Sequence, residues 1–326
     1  MRRIYLDYNA STPTAPEVVA AMRPFLEDAY GNPSSLHWAG KPAREAVERA
    51  RSQVARLLAC DSGEIVFTSG GSEANNHALK GVAFALRDRG DHIVTSTVEH
   101  PATLVPCQHL ARLGYKITFV PVDGYGRVDP DEVRRALTPR TILVSIMHAN
   151  NEVGTIEPIE EISRITRERG IVLHSDAAQS VGKIPTRVDD LGVDLLSIAG
   201  HKLYAPKGIG ALYIRRGTPV EPLIHGAGHE SGRRAGTESA LLAAALGAAA
   251  ELAANLDAIS HVRALRDDFW RQLQAALGNR IVLNGHPELR LPNTLNVSFV
   301  GRTGADVLVA LGGVAASTGS ACHSGE

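Results

Sequence analysis

Short apolar runs alternate along this chain with segments whose apolar positions recur every three or four residues. EIVFTSG (64–70), HIVTSTV (92–98), KITFVPV (116–122), ILVSIMH (142–148), IVLHSD (171–176) and DLLSIAG (194–200) have the length and near-continuous apolarity of strands buried on both faces, and 209–214 is a further run of this kind. PAREAVERARSQVARLLA (42–59) instead places Ala43, Val47, Ala50, Val54, Leu57 and Leu58 on one face of a helix. Apolar strands separated by helices predict an α/β fold with a mainly parallel sheet covered on both sides. LLAAALGAAA (241–250) is too short and too alanine-rich to span a bilayer, and predicts a buried helix. After Asn255 the pattern changes: a helix over about 261–277, then IVLNG, TLNVSFV (294–300) and a short helix near 306–311 predict a second, smaller α+β domain. The tail GGVAASTGSACHSGE has almost nothing large to bury beyond Val314, which predicts a mobile segment.

Composition narrows the class of function. The 326 residues are 44% apolar and 21% charged, as in ordinary globular proteins. With 34 basic against 35 acidic residues, no nucleic-acid or membrane role rests on bulk charge. MRRIYLDYNAST carries no long apolar stretch, so no signal peptide is expected. Cys60, Cys107 and Cys322 are far apart and form no CxxC, which argues against a disulfide framework or a zinc site and suits a reducing cytoplasm.

Ligands in open α/β sheets bind beyond the carboxyl ends of the strands, so the polar residues there are the candidates for chemistry. TSGGSEANN (68–76) follows a strand and opens a helix; Gly70 and Gly71 permit close backbone approach, and free amides with the Ser72 hydroxyl suit a phosphate. The turn lacks both GxGxxG and a Walker lysine, so neither a dinucleotide nor a nucleoside triphosphate is indicated. VEHPA ends a strand with His100, a position where a hydrogen-bonded structural histidine is the commoner occupant. MHANNEVG supplies Asn150 and Asn151, a pair that usually makes a turn, and HSDAAQS supplies Asp176 and Gln179. GHK places Lys202 between two buried strands, which is costly for a lysine that is neither paired, neutral nor covalently engaged. One cofactor uses all of these. Pyridoxal phosphate needs a lysine for a Schiff base (Lys202), an acid opposite the ring nitrogen (Asp176), a phosphate cup (Gly71–Ser72) and a stacking group (His100).

From IYLDYNASTP through GNPSSLH, TSGGSEANN, VEHPA, MHANNEVG, HSDAAQSVGK, GHKLYAPKGIGALY and GRRAGTES to STGSACHSGE, the chain resembles the cysteine desulfurases of the class V aminotransferase superfamily. The resemblance implies the type I fold of pyridoxal-phosphate enzymes: a large domain over 15–257 with a mainly parallel seven-stranded sheet between helices, and a small α+β domain from 1–14 and 258–326, with a cysteine-bearing loop from about 313. By the same resemblance Lys202 is the Schiff-base lysine and the base that moves the substrate Cα proton, and His100 stacks on the ring. Asp176 faces the ring nitrogen, Gln179 the ring hydroxyl oxygen, and Asn151 lies near the ring and the substrate carboxylate. Gly71, Ser72 and His201 hold the phosphate. Thr237 resembles a residue that reaches the phosphate of a partner subunit, so a homodimer is implied.

Cys322 resembles the catalytic cysteine of the subgroup with a longer, flexible loop (SGSAC-type). Independently of the resemblance, a thiol flanked by Gly, Ser and Ala in a tail with little to bury is not a packing residue, and His323 beside it favours the thiolate. The implied reaction takes L-cysteine to alanine and leaves a persulfide on Cys322 for a sulfur-acceptor protein, in iron–sulfur cluster assembly or tRNA thiolation. Two rivals are a selenocysteine lyase, because ACHS also resembles the active-site segment of those enzymes, and a non-catalytic sulfur-transfer scaffold. Two departures from the family accompany the match. Ala199 stands where many relatives carry a phosphate-binding serine. The sequence also stops at Glu326, before the segment from which relatives supply an arginine for the substrate carboxylate. Cys60 and Cys107, in helical and partly apolar settings, are expected to be structural.

Overall fold

Residue alternation in the strands settles how the layers assemble. The computed structural model describes residues 3–319. Its strands are β1 (Ile4–Tyr5), β2 (Ile65–Thr68), β3 (His92–Ser96), β4 (Lys116–Val120), β5 (Thr141–Ser145), β6 (Val172–Asp176), β7 (Leu195–Ala199), β8 (Gly210–Ile214), β9 (Ile281–Asn284), β10 (Asn296–Phe299) and β11 (Val314–Ala315). Its helices are α1 (Pro16–Glu27), α2 (Lys41–Leu58), α3 (Gly71–Ala85), α4 (Pro101–Arg112), α5 (Pro130–Ala136), α6 (Ile159–Glu168), α7 (Val188–Leu191), α8 (Ala240–Ala253), α9 (Asp257–Leu277) and α10 (Gly304–Leu311).

Seven strands form the central sheet in the order β2-β8-β7-β6-β5-β3-β4. Only β8 runs against its neighbours β2 and β7; every other pairing is parallel. Two reversals cancel, so β2 points the same way as β3, β5, β6 and β7, and the carboxyl ends of all five lie along one edge. Successive side chains point to opposite faces. Ile65, Val94, Val144, Leu173, Leu196 and Ala211 therefore join one apolar cluster with α2, α6 and α8, while their neighbours Val66, Ile93, Leu143, Val172, Leu195 and Leu212 join another with α3 and α4. This double burial is why the strands read as unbroken apolar runs.

The alanine-rich run lies within α8, which packs on α2. A Cβ on Gly247 would come within 2.7 Å of the Ala50 Cα, so the two backbones meet at a distance only glycine and alanine permit. Helix α9 begins at Asp257, earlier than its periodicity predicts, and carries no fully buried residue. Strand β5 ends at Ser145, short of the run to 148. The Ile146 and His148 amides still reach the His174 and Asp176 carbonyls (3.2 and 2.9 Å), so the chain continues alongside β6 into the loop.

Two small sheets complete the fold. β9 and β10 pair antiparallel, and β1 pairs in parallel with β11. The second pairing bolts the N-terminal segment to the C-terminal one; Ser317 Oγ donates to Asp7 Oδ1 at 2.6 Å just beyond it.

Candidate active site

The predicted residues converge on the shared carboxyl edge because each ends a strand or opens the element after one. Asp176 is the last residue of β6, and Lys202 lies in a 3-10 turn directly after β7. Gly71 opens α3 after β2, and His100 is the N-cap of α4 after β3.

Helix α3 begins without a side-chain cap, and its N-cap Gly70 has φ 151°, a conformation that favours glycine. The first amides of this 15-residue helix therefore face the site as donors. The cup is tight: a Cβ on Gly71 would lie 3.2 Å from the Ala199 Cβ. The side chain of residue 199 thus faces the cup, which is where a serine hydroxyl would act. One turn into α3, Asn75 is fully buried and donates through Nδ2 to Asp176 Oδ2 at 2.6 Å, while Asp176 Oδ1 accepts from the Ala178 amide at 2.9 Å. These two donors orient a carboxylate that is itself almost wholly buried. Asn75 Oδ1 is left buried without a partner.

Lys202 Nζ donates to the carbonyls of Ala10 (2.9 Å) and Asn9. The same Asn9 carbonyl accepts from Gln179 Nε2 at 2.9 Å. Asn9 Nδ2 in turn reaches the Asn151 carbonyl (3.3 Å) and Thr294 Oγ1 (3.0 Å), and Asn293 Nδ2 donates to Asn9 Oδ1 (2.9 Å). The N-terminal segment thereby gathers Lys202, Gln179 and Asn151. The neighbouring Asn150 makes the turn, accepting from the Glu152 and Val153 amides (2.9 and 3.0 Å), and Asn151 remains half-buried beside it. His100 Nδ1 accepts from the Ala102 amide at 3.0 Å, which fixes the ring orientation; the structural role of a capping histidine and the stacking role are compatible.

The electrostatics suit an anion. His201 is pushed down to about 4 by burial and by the charges of Lys202, Lys207, His100 and Lys183 clustered around it. His174 is likewise pushed to about 4 by burial, against the pull of Asp176, and its two nitrogens bond Ser145 (2.8 Å) and Ser197 (2.9 Å). Burial pushes the Cys60 and Cys107 thiols up to about 12, so neither is a nucleophile near neutral pH.

The loop bearing Thr237 is clamped to this cup. Arg234 forms a two-pronged pair with Glu73 (2.8 and 3.1 Å), and Glu73 also accepts from the Ser69 amide at 2.8 Å. Arg51 pairs with buried Glu230 (2.6 and 2.9 Å) at the start of the same loop, where Glu230 and Ser231 have positive φ (51° and 58°). Thr237 itself is exposed. With Arg234 on Glu73, and Arg233 donating to the Glu230 and Ile65 carbonyls, both arginines are already engaged in holding the loop. Cys322 lies outside the described residues.

Sequence reasoning missed Asn9, Asn75 and Lys183. Asn75 and Lys183 were within reach of it, since each stands four residues after a named residue (Gly71 and Gln179) inside a motif already singled out. Asn9 also lies inside a quoted motif, IYLDYNASTP, but its role could not be read there, because its partners lie between 142 and 285 positions away.

The aminotransferase class-V family model matches residues 4–325. Cysteine desulfurase IscS of Dictyoglomus turgidum is 53% identical over 99% of this chain and 83% of its own length, and the IscS of Methanosarcina thermophila is 47% identical over 99% and 80%. The chain belongs to the cysteine desulfurase family of class-V aminotransferases. Among solved structures, a NifS-like protein superposes with a TM-score of 0.92 at 40% identity, covering 96% of this chain and 86% of its own. SspA in complex with cysteine superposes with 0.88 at 37%, covering 98% and 90%. The fold is therefore that of the family.

The described residues fit pyridoxal phosphate. The uncapped α3 amides and the cationic cluster suit its phosphate, the buried Asp176 its ring nitrogen, and the Gln179 amide its ring oxygen.

Proposed function

We propose that this protein is a pyridoxal-phosphate-dependent cysteine desulfurase. It takes the sulfur of L-cysteine as a persulfide on Cys322 and releases alanine. The observation that carries the reading is the adjacency of Asp176 and Lys202 at the ends of neighbouring strands, beside a helix N-terminus left without a cap. The cofactor, when bound, supplies an electron sink for the substrate carbon. Lys202 holds and moves the Cα proton, and Asp176, steadied by Asn75, keeps the ring nitrogen protonated. His100, Gln179 and Asn151 orient ring and substrate; Gly71, Ser72 and His201 hold the phosphate. The Cys322 thiolate attacks the substrate sulfur, so the S–S bond forms as the Cβ–S bond breaks, and a proton delivered to that carbon completes alanine.

The remaining parts of the reading go with this chemistry. Residues 15–257 form the cofactor domain, and 1–14 with 258–326 form the small domain, a division supported by the β1–β11 pairing. The protein acts in the cytoplasm as a homodimer, with Thr237 reaching the partner's phosphate, and passes sulfur to an acceptor protein. The exposed Tyr30, Leu36 and Trp38, close together in sequence, are an apolar surface that a second copy would cover.

The test is the absorbance spectrum of the purified protein before and after cysteine. A visible band that responds, with alanine and protein-bound persulfide formed by the wild type and neither by Cys322→Ala, is the expected result. Sulfide and alanine forming undiminished in Cys322→Ala would refute the role of Cys322. Absence of a band with added cofactor would refute the role of Lys202.

A further inference from the structure

Lys183 is a second lysine at the site, buried where Lys202 is half-buried, and nothing in the proposed reaction uses it. Only 8% of its surface is exposed, yet its hydrogen-bond partner among the described residues is a neutral amide and not a carboxylate. Its one side-chain hydrogen bond among them is from Nζ to Gln179 Oε1, at 3.0 Å. Burial, with the charge of Lys202 added, pulls its ammonium down to about 7. An unpaired buried ammonium is costly to keep, so a methionine or leucine would pack there more cheaply if packing were the requirement.

Its geometry gives it a use. A glutamine amide can present either its oxygen or its NH2 to a ligand, and only the neighbours decide which. Here Lys183 occupies Oε1, while Nε2 donates to the Asn9 carbonyl at 2.9 Å, the carbonyl that also accepts from Lys202. A flipped amide would set Oε1 against that carbonyl and NH2 against an ammonium. One Nε2 hydrogen is committed to Asn9, and the second remains for a ligand. We propose that Lys183 is a positioning residue that locks the Gln179 amide with its NH2 toward the cofactor, so that the ring oxygen always meets a donor. This inference rests on the cofactor reading above.

A donor to the ring oxygen stabilises its anionic form and lowers the pH at which the bound cofactor loses its proton. The experiment follows the pH midpoint of the visible band in cofactor-loaded protein, without substrate. The other titratable groups around the pocket (Lys202, Lys207, His201, His100, Asp176 and His174 beside it) stay in place in every variant. Lys183→Met removes the clamp and should raise the midpoint by about one unit, tenfold in proton affinity. Lys183→Gln keeps a donor for Oε1 and should restore the wild-type midpoint. In a Gln179→Ala background, Lys183→Met should change nothing further, because the clamp has nothing left to hold. An unmoved midpoint in Lys183→Met overturns the proposal. So does an equal shift in the Gln179→Ala background, which would mean that Lys183 acts through its charge alone. If Lys183→Met does not fold, the glutamine variant decides: a wild-type midpoint supports the clamp and a raised one overturns it. A wild-type protein with no visible band would overturn the cofactor reading and this inference with it.

Discussion

Replacing Arg51 by methionine should destabilise the protein by about 3 kcal/mol, far more than an ordinary arginine substitution. Arg51 lies in α2 with a side chain only 9% exposed, and Glu230 opposite it is 2% exposed. The pair is two-pronged, at 2.6 and 2.9 Å, and Arg51 Nη1 also donates to the Ile65 carbonyl at 2.9 Å. Truncation leaves the Glu230 carboxylate buried with one donor, the Phe67 amide at 2.9 Å. Removing one partner of a buried ion pair costs about 3–5 kcal/mol, mostly as the penalty of the charge left behind. Arg233 is near enough to feel that charge, which places the cost at the lower end. Methionine preserves most of the stem packing, so little of the loss comes from a cavity. Glu230→Gln in the same chain removes the stranded charge while the amide oxygen can still accept from Phe67, and should recover about 2 kcal/mol of the loss. Urea unfolding followed by circular dichroism measures all three proteins. A loss under about 1 kcal/mol in the single variant, or no recovery in the double, would refute the argument that a stranded charge dominates. Because Glu230 sits at positive φ at the head of the loop carrying Thr237, the single variant should also bind cofactor more weakly.

Two further outcomes follow from buried titratable groups. Burial pushes the Glu99 carboxyl from its ordinary 4.5 up to about 8. Between those values the folded chain holds a proton that the unfolded chain releases, so stability is fully present below pH 4.5 and is lost as pH rises through 8. Glu99→Gln, whose amide oxygen can keep the Ser96 and Met147 donors (2.7 and 2.9 Å), should abolish this slope, on the order of a few kcal/mol between pH 5 and pH 8; an unchanged slope would count against it. Iodoacetamide at pH 7.5 should label the native protein once, at Cys322, because the Cys60 and Cys107 thiols are held near 12. Rapid labelling of either, read by peptide mass, would contradict their burial.

What the sequence determined by itself was set by local rules. Strands buried on both faces must be continuously apolar, helices on one face must repeat every three or four residues, and a phosphate cup needs glycine where backbone approaches closely. From these, all seven central strands, helix α2, the buried α8 and the strand-end residues Gly71, His100, Asp176 and Lys202 could be read. The order and direction of strands could not, since β8 has the composition of its parallel neighbours and differs only in being reached by a turn rather than a helix. Asn9 lies in an unremarkable polar turn, and becomes a hub only because β1 pairs with β11 and carries it over Lys202 and Gln179. Nothing local in the sequence marks Lys183 and Glu230 as buried, and it is the packing around them that removes their water. The physical difference is range: hydrophobic period and turn chemistry act over a few residues, whereas desolvation and hydrogen-bond partnership belong to contacts between segments more than a hundred residues apart, which exist only in the folded chain.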